Sequence, residues 1–65
     1  MPVKNQKYVI LADSLVHALR ALVVLGYDRQ VCFEAVLWAF CKDYEAQPGF
    51  DPEFLRRYVW RHLCA

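Results

Sequence analysis

The stretch Leu25-Gly26-Tyr27-Asp28 divides two long segments that contain neither glycine nor proline. Apolar residues recur at helical spacing before it, which predicts a first helix from about Tyr8 to Leu25. Gly26 can take the left-handed conformation that ends a helix, and Asp28 is a favoured N-cap for the next one. The linker between the two helices is very short, so they are expected to pack as an angled pair.

Two further helices are predicted after this linker. The second runs from Arg29 to about Tyr44, and Pro48-Gly49 then marks a loop. Asp51 as N-cap, with proline at the first helical position, predicts a third helix over residues 52–63. The predicted fold is therefore an all-α three-helix bundle in one domain, residues 1–65, with residues 1–7 as a flexible arm.

The apolar faces of these helices are unusually wide. The first helix has an apolar arc of roughly 200°, twice what a surface helix needs, and the second is apolar almost all round. Apolar residues recur at helical spacing along the first helix at Leu11, Leu15, Ala18, Leu19, Leu22 and Leu25, and Val9, Ala12, Val16 and Val23 extend this arc. The inner face of the third helix is predicted to contain Phe54, Leu55, Tyr58, Val59 and Leu63, with Arg56, Arg57, Trp60 and Arg61 on the opposite side.

Hydrophobic residues make up 58% of the 65 residues, and the mean hydropathy is +0.14. A chain of this length buries only about 60% of its unfolded surface on folding. Part of the apolar surface is therefore expected to be covered by a second chain, and a homodimer is one way to achieve this.

Charge and cysteine content narrow the class of protein. The formal net charge of +1 gives no long-range attraction for nucleic acid or for an anionic membrane. Charged residues interrupt every stretch long enough to span a membrane. Three cysteines without pairwise spacing do not resemble the disulfide framework of a small secreted domain. These features predict a cytoplasmic protein with buried or half-buried thiols.

The segment Ala21–Val36 resembles the signature of ubiquitin-associated (UBA-like) domains, in which an apolar helix ends in a hydrophobic-Gly-aromatic loop. Here that loop is Leu25-Gly26-Tyr27, followed by small residues such as Cys32 and Ala35. The segment is also similar to the three-helix carboxyl-terminal domain of the bacterial Holliday-junction branch-migration protein. The resemblance covers roughly residues 14–36 and implies a three-helix fold and a role in binding other proteins.

The function expected from these features is a non-enzymatic protein-interaction module, a small adaptor, regulator or inhibitor. Trp38 and Trp60 project from polar helix faces, and Trp and Arg are enriched at binding hot spots. The predicted partner-binding residues are Leu25, Gly26, Tyr27, Trp38, Arg56, Arg57, Trp60 and Arg61. A subunit that completes a larger complex fits the same residues.

Three arginines on the third helix suggest an alternative. Arg56, Arg57 and Arg61 would reach phosphates if this helix entered a DNA groove, which would make the protein a small DNA-binding regulator. Glu53 stands four residues before Arg57, where the two are expected to form an ordinary i,i+4 ion pair.

Enzymatic chemistry has little basis in the sequence. His62 and Cys64 are two residues apart on a helix and point in different directions, and no third orienting group is evident. His17 is expected to be a solvated histidine on the polar stripe of the first helix. The cysteines and histidines lack metal-ligand spacing, so no catalytic residue, metal or cofactor is predicted.

Overall fold

The computed structural model describes residues 6–65, which form three α-helices. These are α1 (Gln6–Val24), α2 (Arg29–Tyr44) and α3 (Pro52–Cys64), so the predicted all-α three-helix bundle is confirmed. The bounds of α2 are those predicted, and α3 ends one residue later. α1 begins two residues earlier than predicted, so residues 6 and 7 belong to the helix instead of the arm. The rest of the predicted arm, residues 1–5, lies outside the described residues.

Two aspartates start the second and third helices as predicted. Asp28 Oδ1 accepts a hydrogen bond from the Val31 amide at 2.9 Å. Asp51 Oδ1 accepts from the amides of Glu53 and Phe54 at 3.1 and 3.3 Å. Each bond satisfies an amide that has no partner within its own helix.

The core lies along α1, which packs more extensively on α3 than on α2, while α2 and α3 touch each other least. The inner face of α3 is as predicted, with Leu55, Val59 and Leu63 buried. The buried residues that form the core are Ala12, Val16, Leu19, Phe33, Leu37, Leu55, Val59 and Leu63.

The buried face of α1 coincides only partly with the predicted apolar arc. It contains Tyr8, Ala12, Val16 and Leu19, whereas the predicted Ala18 is exposed and Leu25 lies exposed beyond the helix. Leu11, Leu15 and Leu22, which also belong to this arc, are half-buried at the sides. Apolar residues cover so much of this helix that spacing alone does not decide which of them face the other two helices.

Aromatic rings close one end of the bundle. The buried Tyr8 ring meets Phe50 edge-on at 5.5 Å between ring centres, and its hydroxyl lies 3.5 Å from the Pro48 carbonyl oxygen. Tyr44 stacks on Phe40 at 4.5 Å and approaches Phe50 at 6.2 Å. These rings hold the α2–α3 loop against the start of α1.

At the other end of the bundle, a side chain of α1 is hydrogen-bonded to α3. Arg20 Nη2 donates to the His62 carbonyl oxygen at 2.7 Å, which satisfies one of the last carbonyls of α3. The His62 ring stacks on Tyr58 at 4.2 Å. This end of the bundle therefore has a direct hydrogen bond between α1 and α3.

The packed helices form a flat body of 38 × 25 × 14 Å between Cα atoms, with a radius of gyration of 11.9 Å. A compact chain of this length has a radius of about 11 Å. The molecule thus presents more surface for its size than a typical small domain.

Candidate functional site

The turn between α1 and α2 is held by main-chain hydrogen bonds. Gly26 has a φ of 103°, and its amide donates to the Val23 carbonyl at 3.0 Å, while the Tyr27 amide donates to the Leu22 carbonyl at 3.1 Å. This pair of bonds is a Schellman motif, which needs a left-handed residue at the glycine position. The predicted role of Gly26 in ending the first helix is confirmed.

Around this turn, four large apolar side chains are exposed to solvent. They form what we call the turn patch: Val24, Leu25, Tyr27 and Val31. Their exposed fractions lie between 60% for Tyr27 and 85% for Val24. Because the turn is fixed by Gly26 and by the Asp28 cap, the patch is carried on an ordered piece of backbone.

A further exposed apolar residue lies on the outer side of α2. Trp38 is 68% exposed, with the Lys42 ammonium 5.3 Å from the centre of its ring. Glu34, Trp38 and Lys42 follow one another at intervals of four residues and are all exposed. We call this row the Trp38 ridge.

α2 and α3 enclose a groove lined by aromatic and charged side chains. The Trp60 ring packs on the buried Phe33 at 4.8 Å between ring centres, and the Arg56 guanidinium lies 5.4 Å from the centre of the same Phe33 ring. Arg56 Nη2 also donates to Glu34 Oε1 at 2.9 Å. Arg57 completes one wall of this groove.

Trp60 was predicted to lie opposite the inner face of the third helix, and it is exposed there together with Arg56, Arg57 and Arg61. Its exposed fraction is only 38% because α2 approaches that side of α3 and places Phe33 beneath the indole. Arg56 faces α2 for the same reason. The predicted pairing of Glu53 with Arg57 is wrong, since within residues 6–65 the carboxylates that lie beside a basic side chain are Glu34, next to Arg56, and Asp13, next to His17.

The predicted partner-binding residues therefore fall into separate places. Leu25, Gly26 and Tyr27 lie together at the turn. Arg56, Arg57 and Trp60 meet in the α2–α3 groove, and the Glu34–Arg56 pair lies between Trp60 and Trp38. Arg61 lies in a different groove on α3, beside Phe54, Tyr58 and His62.

Two residues of the turn patch were missed by sequence reasoning. Val24 and Val31 were not among the predicted partner-binding residues, although both are exposed. A signal for Val31 exists in the sequence, because it stands seven residues before Trp38 and so shares its helix face. Val24 has no comparable signal, since nothing marks the last residue of α1 as facing outward.

The three cysteines have different surroundings. Cys32 and Cys41 are half-buried, as predicted, whereas Cys64 is exposed, with its Sγ 3.9 Å from Arg29 Nη1. Burial raises the pKa of the Cys41 thiol, Arg56 acts in the opposite direction, and Glu45 adds to the increase. His17 is exposed as predicted, and its Nε2 lies 3.7 Å from the Asp13 carboxylate.

Metal-ligand clusters and membrane spans were sought in the described part of the chain. No group of three or more His, Cys, Asp or Glu side chains there is placed to hold a metal ion. None of the helices within residues 6–65 combines the length and apolar content that a membrane span requires. Comparison with protein-family models, with curated proteins and with solved structures found no match to this chain.

Proposed function

We propose that this chain is a non-enzymatic protein-interaction module, an adaptor or inhibitor, that binds a partner protein through the turn patch. The observation that supports this most is the exposure of four large apolar side chains, Val24, Leu25, Tyr27 and Val31, within eight residues. Scattered single apolar residues on a surface need no explanation, whereas four large ones around one turn favour a binding role.

The energetics favour a partner on this surface. Burying an exposed Val or Leu side chain completely is favourable by about 1.5–3 kcal/mol. The turn is also rigid, because the Schellman bonds of Gly26 and Tyr27 and the Asp28 cap fix its backbone. A preorganised surface loses less conformational freedom when it binds.

The alternative role in DNA binding has less support. Arg56 is already engaged by the Glu34 carboxylate and by the Phe33 ring, so it would have to leave both to reach a phosphate. Arg57 and Arg61 then remain as phosphate contacts on α3. Phosphate-driven binding generally needs a larger basic surface.

A capture experiment with matched variants tests the proposal. Three proteins are immobilised and incubated with a cell lysate, and the proteins that each retains are quantified. They are the full chain, the double variant Val24→Ser/Leu25→Ser and the control Ile10→Ser. Ile10 is a suitable control because its side chain is 62% exposed on α1 and lies outside the turn patch. The partner is then purified, and its Kd for each variant is measured by calorimetry.

We expect the double variant to bind at least about thirtyfold more weakly, the loss typical of a hot spot, and the control to bind like the unaltered chain. Circular dichroism should show equal melting of all three proteins. Equal binding by the double variant, or specific retention of no protein by the unaltered chain, would contradict the proposal.

A further inference from the structure

The Trp38 ridge lies on the outer side of α2, where Val31 is the one residue of the turn patch that shares its helix face, and the function proposed above does not explain Trp38. Trp38 is 68% exposed on a helix whose buried residues are Phe33 and Leu37. An indole supplies about 150–250 Å² of contact area when it is covered. Covering the Trp38 indole would therefore contribute substantially to an interface.

Two opposite charges are placed symmetrically on either side of Trp38. Glu34 stands four residues before the indole and Lys42 four residues after it. Each charge is thus about 6 Å from Trp38 along the helix axis, in opposite directions. If a second copy of α2 runs in the opposite direction with its Trp38 beside this one, its Lys42 lies at the level of Glu34 and its Glu34 at the level of Lys42.

From this symmetry we propose that the Trp38 ridge binds the same ridge of a second copy of the chain. Rows of residues at intervals of four pack side by side when two helices cross at about −50°. A two-fold axis beside Trp38 then stacks the two indoles and puts Glu34 next to Lys42 of the second copy. The contact is isologous, so both ion pairs form at once.

The existing contacts of the ridge fit this arrangement. Arg56 binds Glu34 through Oε1, which orients the carboxylate and leaves Oε2 to accept a hydrogen bond from the second copy. The Lys42 ammonium lies over the Trp38 ring at 5.3 Å from its centre, so the positive charge of the ridge already stands beside the indole that the second copy would contact.

The molecule is large enough to accommodate such an interface. A stable interface covers about 800 Å² of each partner, roughly a sixth of the 4851 Å² accessible surface. α2 has 16 residues and is therefore about 24 Å long. Crossed helices diverge at their ends, which leaves the turn patch open to another partner.

Charge exchange between two variants tests the inference. The variant Glu34→Lys has two positive charges beside Trp38, and Lys42→Glu has two negative ones. Sedimentation equilibrium at tens of micromolar is measured for the unaltered chain, for each variant and for their equimolar mixture. Asp43→Lys, on another side of α2, is the control for an added positive charge, and Trp38→Ala removes the central contact.

We expect twice the 7.7 kDa chain mass for the unaltered chain and for Asp43→Lys. Glu34→Lys and Lys42→Glu should each associate at least about tenfold more weakly, because like charges then meet across the axis. Trp38→Ala should also associate more weakly, because it lacks the central contact. The mixture should recover a 1:1 dimer, which loss of the internal Glu34–Arg56 pair cannot explain.

A monomeric unaltered chain would overturn the inference, and so would ridge variants that dimerise normally or a mixture that does not recover. None of these outcomes bears on the turn patch, whose test uses Val24 and Leu25. Circular dichroism of each variant shows that it is folded before its mass is interpreted.

Discussion

Arg56 on α3 donates to the Glu34 carboxylate on α2 at 2.9 Å while its guanidinium lies over the Phe33 ring. α2 and α3 touch each other less than either touches α1, so this pair is one of their main direct links. Both side chains of the pair are about half exposed. Because exposed ion pairs contribute little to the free energy of unfolding, the main effect of this pair is to fix how α2 and α3 are oriented. Its contribution to stability can be measured.

A double-mutant cycle with Glu34→Gln and Arg56→Met measures that contribution. We expect a coupling free energy of about 0.2–1 kcal/mol, the range found for exposed ion pairs. Urea denaturation of the four proteins gives the value, and added salt should reduce it. A coupling above about 2 kcal/mol would show that the pair is far less solvated than the structure indicates.

Substitution of Gly26 tests the turn. The residue has a φ of 103°, and a Cβ added there would meet no atom within 4 Å, so the cost of a side chain is backbone strain alone. We expect Gly26→Val to lower the free energy of unfolding by about 1–2 kcal/mol. Gly26→Asn should lower it less, because Asn adopts left-handed conformations more readily. Equal stability of all three proteins would mean that the turn has another geometry in solution.

The sequence predicts the bounds of α2 and α3 well because their ends carry strong local signals. Asp28 and Asp51 cap the helix starts, and Gly26 ends α1. At the start of α1 the sequence has Asn5, a residue type favoured at N-caps, directly before Gln6, but the prediction did not use it and placed the start at Tyr8. Local signals mark helix ends, and the error at α1 comes from passing over one of them.

The orientation of side chains around each helix is harder to predict. Trp60 follows the buried Val59 by one position, so its surroundings depend on which side α2 approaches. That approach is decided by packing over the whole bundle and not by the spacing within α3. The same argument applies to α1, where Val16 and Leu15 are equally apolar but only Val16 is fully buried.

The same substitution at a buried and at an exposed leucine tests the assigned core. Leu37 is fully buried, whereas Leu25 is 74% exposed. We expect Leu37→Ala to cost about 2–5 kcal/mol, which is enough to unfold much of a domain this small. Leu25→Ala should change stability by less than about 0.5 kcal/mol. Thermal melts compare the two, and similar losses would contradict the assignment.

Alkylation distinguishes the thiols. Cys64 is exposed, whereas Cys41 is half-buried, and burial raises the pKa of the Cys41 thiol. Since the thiolate is the reactive form, iodoacetamide at pH 8 should modify Cys64 several-fold faster than Cys41. Increasing the pH should accelerate the modification of Cys41, because more of its thiol is then in the thiolate form. Peptide mass spectrometry gives the separate rates, and faster modification of Cys41 would contradict the packing of α2 against α3.

The central claim is that the turn patch contacts a partner protein, and site-specific photocrosslinking tests it most directly. A benzophenone side chain replaces Leu25 in one protein and Ile10 in another, and each is irradiated with the purified partner. We predict a crosslinked product from position 25 that is absent from position 10 and is suppressed by excess unaltered chain. Crosslinking of equal yield from both positions, or from position 10 alone, would contradict the assignment of the turn patch as the binding surface.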